Sequence, residues 1–196
     1  MLELPVRLVV GLGNPGEKYA STRHNVGFDW LDHLADMNRV SFLLETRFRG
    51  LCARITQADS DIWLLKPQTY MNASGMSVAA VCRYYKISPE QMLVVHDELD
   101  LQPGVIKLKS GGGTGGHNGL KSIAADLSSQ AFWRLRIGVG HPGDRNQVVD
   151  YVLRSPRKEE AVLIDEAINH SMLVWPLIAK GEFAAAMQQL HTRQPN

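Results

Sequence analysis

An apolar run, Leu8-Val9-Val10, is cut off by three glycines, Gly11, Gly13 and Gly16, and no other stretch limits the fold of this chain so closely. The run is short and β-branched, as in a buried strand. Asn14-Pro15-Gly16 is turn chemistry, with Pro15 fixing φ and Gly16 free to take a positive one. Tyr19, Arg23, His24 and Asn25 follow, just before a helical pattern begins. An early strand therefore delivers an Asn, and its loop returns a His, to one end of a sheet. In open α/β sheets, ligands gather at the carboxyl ends of the strands.

Gly11-x-Gly13-x-x-Gly16 after a strand also matches the dinucleotide fingerprint. In that motif the third Gly opens a helix that carries the pyrophosphate. Here Pro15 precedes Gly16, and residues 17–23 have no apolar 3.6-residue period. The acid expected about twenty residues on should end a second strand. The nearest acids, Asp32 and Asp36, fall inside a helical pattern instead. The bland alternative is a tight turn with a surface His.

The remaining pattern alternates strands with helices. Apolar spacing predicts a helix over Val26–Met37 and a strand pair over Arg47–Thr56 and Asp61–Leu65, joined by a turn. A loop is expected from Lys66 to Asn72, because Pro67 does not belong in a central strand. Asn72 or Ser74 is expected to cap the next helix, through Tyr85, and Ser88-Pro89 to open a short turn. Met92–Val95 reads as a second buried strand, ending where His96-Asp97-Glu98 begins. Val105–Lys109 is half-exposed strand, and residues 111–119 form a loop with six glycines. A helix from Leu120, a strand over Phe132–Val139, a long helix from Ser155-Pro156 through Trp175, broken at Pro176, and a last helix over Glu182–Leu190 complete the chain. The expectation is an α/β fold, a single domain over residues 1–196, with a mixed twisted β-sheet flanked by α-helices.

At 196 residues the chain can bury a sizeable core. Its net charge of +1 excludes a general polyanion binder, but the charge is uneven. Between Val105 and Arg145 lie Lys107, Lys109, Lys121, Arg134, Arg136 and Arg145, against only Asp126 and Asp144. Such a basic face suits nucleic acid, although solvated charge is its commoner meaning. The two cysteines, Cys52 and Cys82, form no CxxC, and no apolar run is long enough to span a bilayer. A reducing cytoplasm is the expected setting.

Chemistry-bearing residues collect at strand ends and loops: Asn14, His24, Asn72, Asp97, His117 and Asn118. His24 suits a general base, and Asp97 could accept a hydrogen bond from its second ring nitrogen. Asparagines offer both donor and acceptor to a ligand. Each residue has a plain alternative: Asn14 as a turn residue, Asn72 as a helix cap, Asp97 as a turn, His117-Asn118 as loop punctuation. Ser74 lacks a nucleophile elbow, Lys121-Ser122 lacks the Gly of a phosphate loop, and His96, His117 and His141 lack metal-ligand spacing.

Several longer motifs occur together in one order. They are Gly-Leu-Gly-Asn14-Pro-Gly-x-x-Tyr19, Thr22-Arg-His24-Asn-Val-Gly, Lys66-Pro-x-Thr-Tyr70-Met-Asn72-x-Ser-Gly, His96-Asp97-Glu-Leu-Asp, Gly-Gly-His117-Asn118-Gly-Leu-Lys and Arg134-Leu-Arg-Ile-Gly-Val-Gly-His-Pro-Gly. With them the chain resembles bacterial-type peptidyl-tRNA hydrolases along essentially its whole length. The resemblance implies hydrolysis of the ester joining a peptide to the 3′ ribose of tRNA, by a cytoplasmic monomer without metal or organic cofactor. It implies that His24 activates water and that Asp97 supports it. It places Asn14, Asn72, His117 and Asn118 around the substrate, and Tyr19 and Tyr70 beside the tRNA 3′ end. By the same analogy Asn14 distinguishes a peptidyl from a free aminoacyl group. Two other classes remain at this point: an RNA-binding module that has lost catalysis, and a nucleotide-dependent enzyme using the Gly11 loop.

Overall fold

The computed structural model describes residues 4–58 and 60–192. Strands β1 (Leu8–Gly11), β2 (Leu43–Glu45), β3 (Gly50–Ile55), β4 (Ile62–Pro67), β5 (Met92–Glu98), β6 (Ile106–Ser110) and β7 (Trp133–Gly138) form one sheet in the order β2-β3-β4-β1-β5-β7-β6. The middle four strands are parallel; β2 and β3 at one edge and β6 at the other run antiparallel to their neighbours. The helices are α1 (Val26–Asn38), α2 (Ser74–Tyr85), α3 (Asn118–Leu127), α4 (Val148–Val152), α5 (Lys158–Met172), α6 (Trp175–Ala179) and α7 (Phe183–Thr192).

The apolar run of β1 is continuous because β1 is buried on both faces. Val9 joins the core packed under α1, α5, α6 and α7, whereas Leu8 and Val10 join the core under α2 and α3. After β1 the chain first builds β2, β3 and β4 on one side, then returns to build β5 on the other. That reversal opens a crevice at the carboxyl ends of β1 and β5, as strand-order reversals do in α/β sheets. The loop after β1 runs into a 3-10 turn at residues 17–19, not into a helix, so the fingerprint's phosphate-binding element is missing.

Several expected boundaries move, each for a physical reason. β4 runs on through Lys66 and Pro67: Pro67 pairs with Gly50 on β3 alone, while pairing with β1 stops at Leu65, so its missing N–H breaks no ladder on that side. β5 continues through His96, Asp97 and Glu98, paired with Arg136, Ile137 and Gly138 of β7. Neither Asn72 nor Ser74 caps α2; the Ser74 hydroxyl donates to the Met71 carbonyl at 2.8 Å. α3 starts at Asn118 with His117 as its cap. The expected long helix is two, and Pro176 sits in the first turn of α6, where its missing N–H costs nothing. The short elements β2 and α4 were not anticipated. The expected turn at residues 57–60 includes residue 59, outside the described residues.

Two glycines let α1 close on the sheet. A Cβ on Gly11 would meet the Gly27 carbonyl oxygen, and one on Gly27 would fall 2.5 Å from both Leu12 N and Val95 O. This contact sets the 3-10 turn Arg23–Asn25, just ahead of α1, over the ends of β1 and β5. Gly27→Ala is therefore expected to destabilise the protein by about 1–3 kcal/mol, the cost of overpacking. Gly113→Ala, whose Cβ meets nothing within 4 Å, serves as the control and should leave the melting temperature unchanged. Equal melting temperatures for the two variants would contradict this packing argument.

Candidate active site

Asn14 and Asn25 hold the loop after β1 against the turn before α1. The Asn14 N–H donates to Asn25 Oδ1, and Asn25 Nδ2 donates to the Asn14 carbonyl, both at 2.9 Å. Asn14 Oδ1 in turn accepts the Met71 N–H at 2.9 Å. These bonds fix the Asn14 amide: its oxygen is used by the backbone, so its NH₂ group is the part left for a ligand. Asn14 is only 7% exposed, so its orientation is set by the protein rather than by solvent.

His24 lies in the turn secured by that exchange. Its Nδ1–H donates to Asp97 Oδ1 at 2.9 Å, and the Asp97 carboxylate is a strong acceptor. The second ring nitrogen, Nε2, then carries the lone pair and has no protein partner among the described residues, and His24 borders a cavity of about 590 Å³. Asp97 Oδ1 receives a second imidazole as well, His117 Nε2–H at 2.9 Å. The other nitrogen of His117 accepts the Gly119 N–H at 3.1 Å, capping α3. Both nitrogens of His117 are thus committed inside the protein, whereas one nitrogen of His24 is free.

The electrostatics follow from burial and charge. Burial disfavours the Asp97 carboxylate, but His24 and His117 outweigh it by charge and hydrogen bonding and hold it far below the usual carboxylate range. Burial also works against a charged His24; the charge of Asp97 and its hydrogen bond outweigh this and raise His24 above its ordinary 6.5. His96, directly before Asp97, is fully buried and pushed down to about 3, mainly by burial. It is neutral at physiological pH, and its Nδ1 bonds the Asp97 carbonyl at 2.7 Å.

The cavity brings together most of the residues expected from sequence: Asn14, His24, Tyr70, Asn72, Asp97, His117 and Asn118. Tyr70 is 64% exposed, and Asn72 and Asn118 are also exposed. Tyr19 is not part of the wall; its ring lies 4.8 Å from the Lys18 ammonium. The basic face is smaller than its charge count. Arg134 is buried, and Arg136 Nε is paired with Glu98 at 2.9 Å. Lys109 is exposed, and Lys121 and Arg145 border the cavity as exposed cations. Sequence reasoning also missed the apolar wall made by Leu99, Val148, Val149, Val152 and Leu153. The apolar pairs Val148/Val152 and Val149/Leu153, four residues apart along α4 and the residue after it, were its legible signal.

The ligating atoms of His24, Asp97 and His117 lie within 4.8 Å of one another, a grouping that could meet a cation. Either nitrogen of His117 would have to give up its present bond to do so, to Asp97 or to Gly119. The arrangement as it stands is a hydrogen-bonded one: a buried carboxylate orienting an imidazole whose free nitrogen can take a proton.

Comparison with known proteins agrees with the motifs. The family described as peptidyl-tRNA hydrolase matches residues 8–196. A protein of Nitrosomonas europaea named peptidyl-tRNA hydrolase is 88% identical over 195 residues, covering 100% of both chains. One of that name from Nitrosospira multiformis is 64% identical, covering 96% of this chain and 99% of its own. The crystal structure of peptidyl-tRNA hydrolase from Acinetobacter baumannii superposes with a TM-score of 0.94 at 44% identity, covering 97% of each chain.

The geometry makes the imidazole–carboxylate contact measurable on its own. In an NMR titration His24 is expected to lose its proton above pH 6.5, and Asp97→Asn, which removes the charge and keeps the shape, should bring that midpoint down. A midpoint unmoved by the substitution would contradict the assigned cause.

Proposed function

We propose a mechanism on one premise: this chain belongs to the peptidyl-tRNA hydrolase family, and it hydrolyses the ester between a peptide and the 3′ ribose of tRNA. The observation that carries the mechanism is the His24 Nδ1–Asp97 Oδ1 bond, in a residue that lines the cavity and whose Nε2 has no protein partner among the described residues. Nε2 removes a proton from a water molecule as the water oxygen attacks the ester carbon. Asp97 holds the tautomer that leaves Nε2 basic and stabilises the imidazolium that forms, as the carboxylate does in hydrolytic triads.

The attack turns the carbonyl oxygen into an oxyanion, which needs donors aimed at it. The side-chain amide of Asn118, at the start of α3, supplies one. When the tetrahedral intermediate collapses, the ester C–O bond breaks and the imidazolium returns its proton to the departing 3′ oxygen. The products are a peptide with a free carboxylate and a tRNA with a free 3′ hydroxyl, and His24 is neutral again. Asn72 holds the attacking water or the ribose, His117 keeps Asp97 in place, and Tyr70 gives the 3′-terminal base a face to stack on. Tyr19, outside the cavity wall, meets the tRNA strand beyond it. Lys109, Lys121 and Arg145 attract the phosphates. The enzyme acts as a cytoplasmic monomer formed by one catalytic domain. No helix among the described residues is long and apolar enough to cross a membrane.

His24→Ala is expected to lower kcat by roughly 10²–10⁴, the usual worth of a general base, with KM for an N-blocked aminoacyl-tRNA nearly unchanged. A KM that rises in step with the loss of kcat would assign His24 to binding instead.

Asn14 sets the substrate's acyl side. Its NH₂ suits a neutral amide carbonyl and offers nothing to the ammonium of a free aminoacyl group. Asn14→Asp keeps the acceptor for Met71 N–H and replaces the NH₂ by carboxylate oxygen. The preference for N-blocked over free aminoacyl-tRNA should fall, measured as a ratio of kcat/KM. Equal losses on the two substrates would move Asn14 from selectivity to general catalysis.

A further inference from the structure

Arg134 is an arginine where the fold has little use for a charge. It sits in β7, is 2% exposed, and packs its guanidinium 5.0 Å from the Phe132 ring. Among the described residues it pairs with no carboxylate. Its two terminal nitrogens instead donate to successive carbonyls of the Gly-rich loop, one to Gly113 O at 2.6 Å and the other to Gly112 O at 2.5 Å. Removing a guanidinium from water for neutral acceptors alone is costly, and burial duly lowers the pKa of this group. An apolar residue would fill the same space without that cost.

The loop explains the need. Gly111, Gly112, Gly115 and Gly116 all take positive φ, and a Cβ on Gly113, Gly115 or Gly116 would meet nothing within 4 Å. These glycines have great backbone freedom and no side chains to restrain them. The loop is fixed at its two ends. At the far end His117 bonds Asp97 Oδ1 and caps α3. At the near end Gly111 N–H donates to Phe132 O at 3.0 Å, and the Arg134 fork holds the next two carbonyls. The span between carries Thr114, Gly115 and Gly116 along the cavity.

We propose that Arg134 is a positioning residue for the hydrolysis: its guanidinium fixes the root of the Gly-rich loop and so sets how His117 meets Asp97. The inference rests on the roles given above to His24 and Asp97. It assigns a specific chemical requirement, a planar fork with two parallel donors, which a lysine ammonium cannot reproduce.

The test is a double-mutant cycle in kcat with Arg134→Lys and His117→Ala, together with hydrogen exchange of the loop amides and melting temperatures. Arg134→Lys is expected to lower kcat about tenfold through misplacement of the site, with faster exchange across residues 112–117. In the His117→Ala background the same change should cost little, because the contact it positions is already gone. A residue that only stabilises the fold would show the same loss in both backgrounds. Arg134→Gln, which leaves no buried ammonium, takes the place of the lysine variant if that one does not fold. Additive losses, or unchanged loop exchange, overturn the inference. If Asp97→Asn lowers kcat and Arg134→Lys does not, the inference alone fails. If Asp97→Asn has no effect, the reading of the site fails and takes this inference with it.

Discussion

A single buried carboxylate oxygen, Asp97 Oδ1, receives hydrogen bonds from two imidazoles, and the rest of the site depends on that arrangement. A carboxylate at 4% exposure is tolerated only where partners replace its water. The partners arrive from distant parts of the chain: His24 from the turn before α1, His117 from the end of the Gly-rich loop. β5 must therefore run past its apolar stretch to hold Asp97 inside. Gly11 and Gly27 must lack side chains so that α1 can bring His24 within reach. The two imidazoles are unequal in consequence. His117 spends both nitrogens on the protein, and His24 keeps one for chemistry.

Much of this could be read from the sequence, because the core obeys simple periodicities. Leu8–Val10 and Met92–Val95 are strands buried on both faces, and α1 shows its apolar stripe from Val26 onward. The reading stumbled where local chemistry and tertiary context disagree. His96, Asp97 and Glu98 look like the end of a strand because they are polar; they continue it because β7 pairs with them and the Asp97 and Glu98 carboxylates find partners. Pro67 looks like a loop residue and ends a strand, since one side of β4 needs no donor there. β2 and α4 are too short for a period to declare itself, although the apolar pairs along α4 and the residue after it were visible.

Beyond the expected His24–Asp97 bond, the site was legible as a set of residues and not as a set of bonds. Asn14, His24 and Asp97 were singled out by type and by position at strand ends, and the motifs tied them together. Nothing in linear spacing says that Met71 N–H occupies the Asn14 oxygen, that His117 shares Asp97 with His24, or that Arg134 faces inward. The charge count misled for the same reason. Six cations between residues 105 and 145 suggested one basic face, but Arg134 serves the loop and Arg136 serves Glu98, so the cations left at the cavity's edge are fewer.

The central claim is that His24 and Asp97 act as one unit, and the kcat values of His24→Ala, Asp97→Asn and the double variant test it most directly. On this account the carboxylate has nothing to orient once the imidazole is gone. The double variant should then be hardly slower than His24→Ala alone. A double variant whose loss equals the product of the two single losses would mean that the residues work independently. The paired mechanism would then be wrong, even with the hydrolase activity intact.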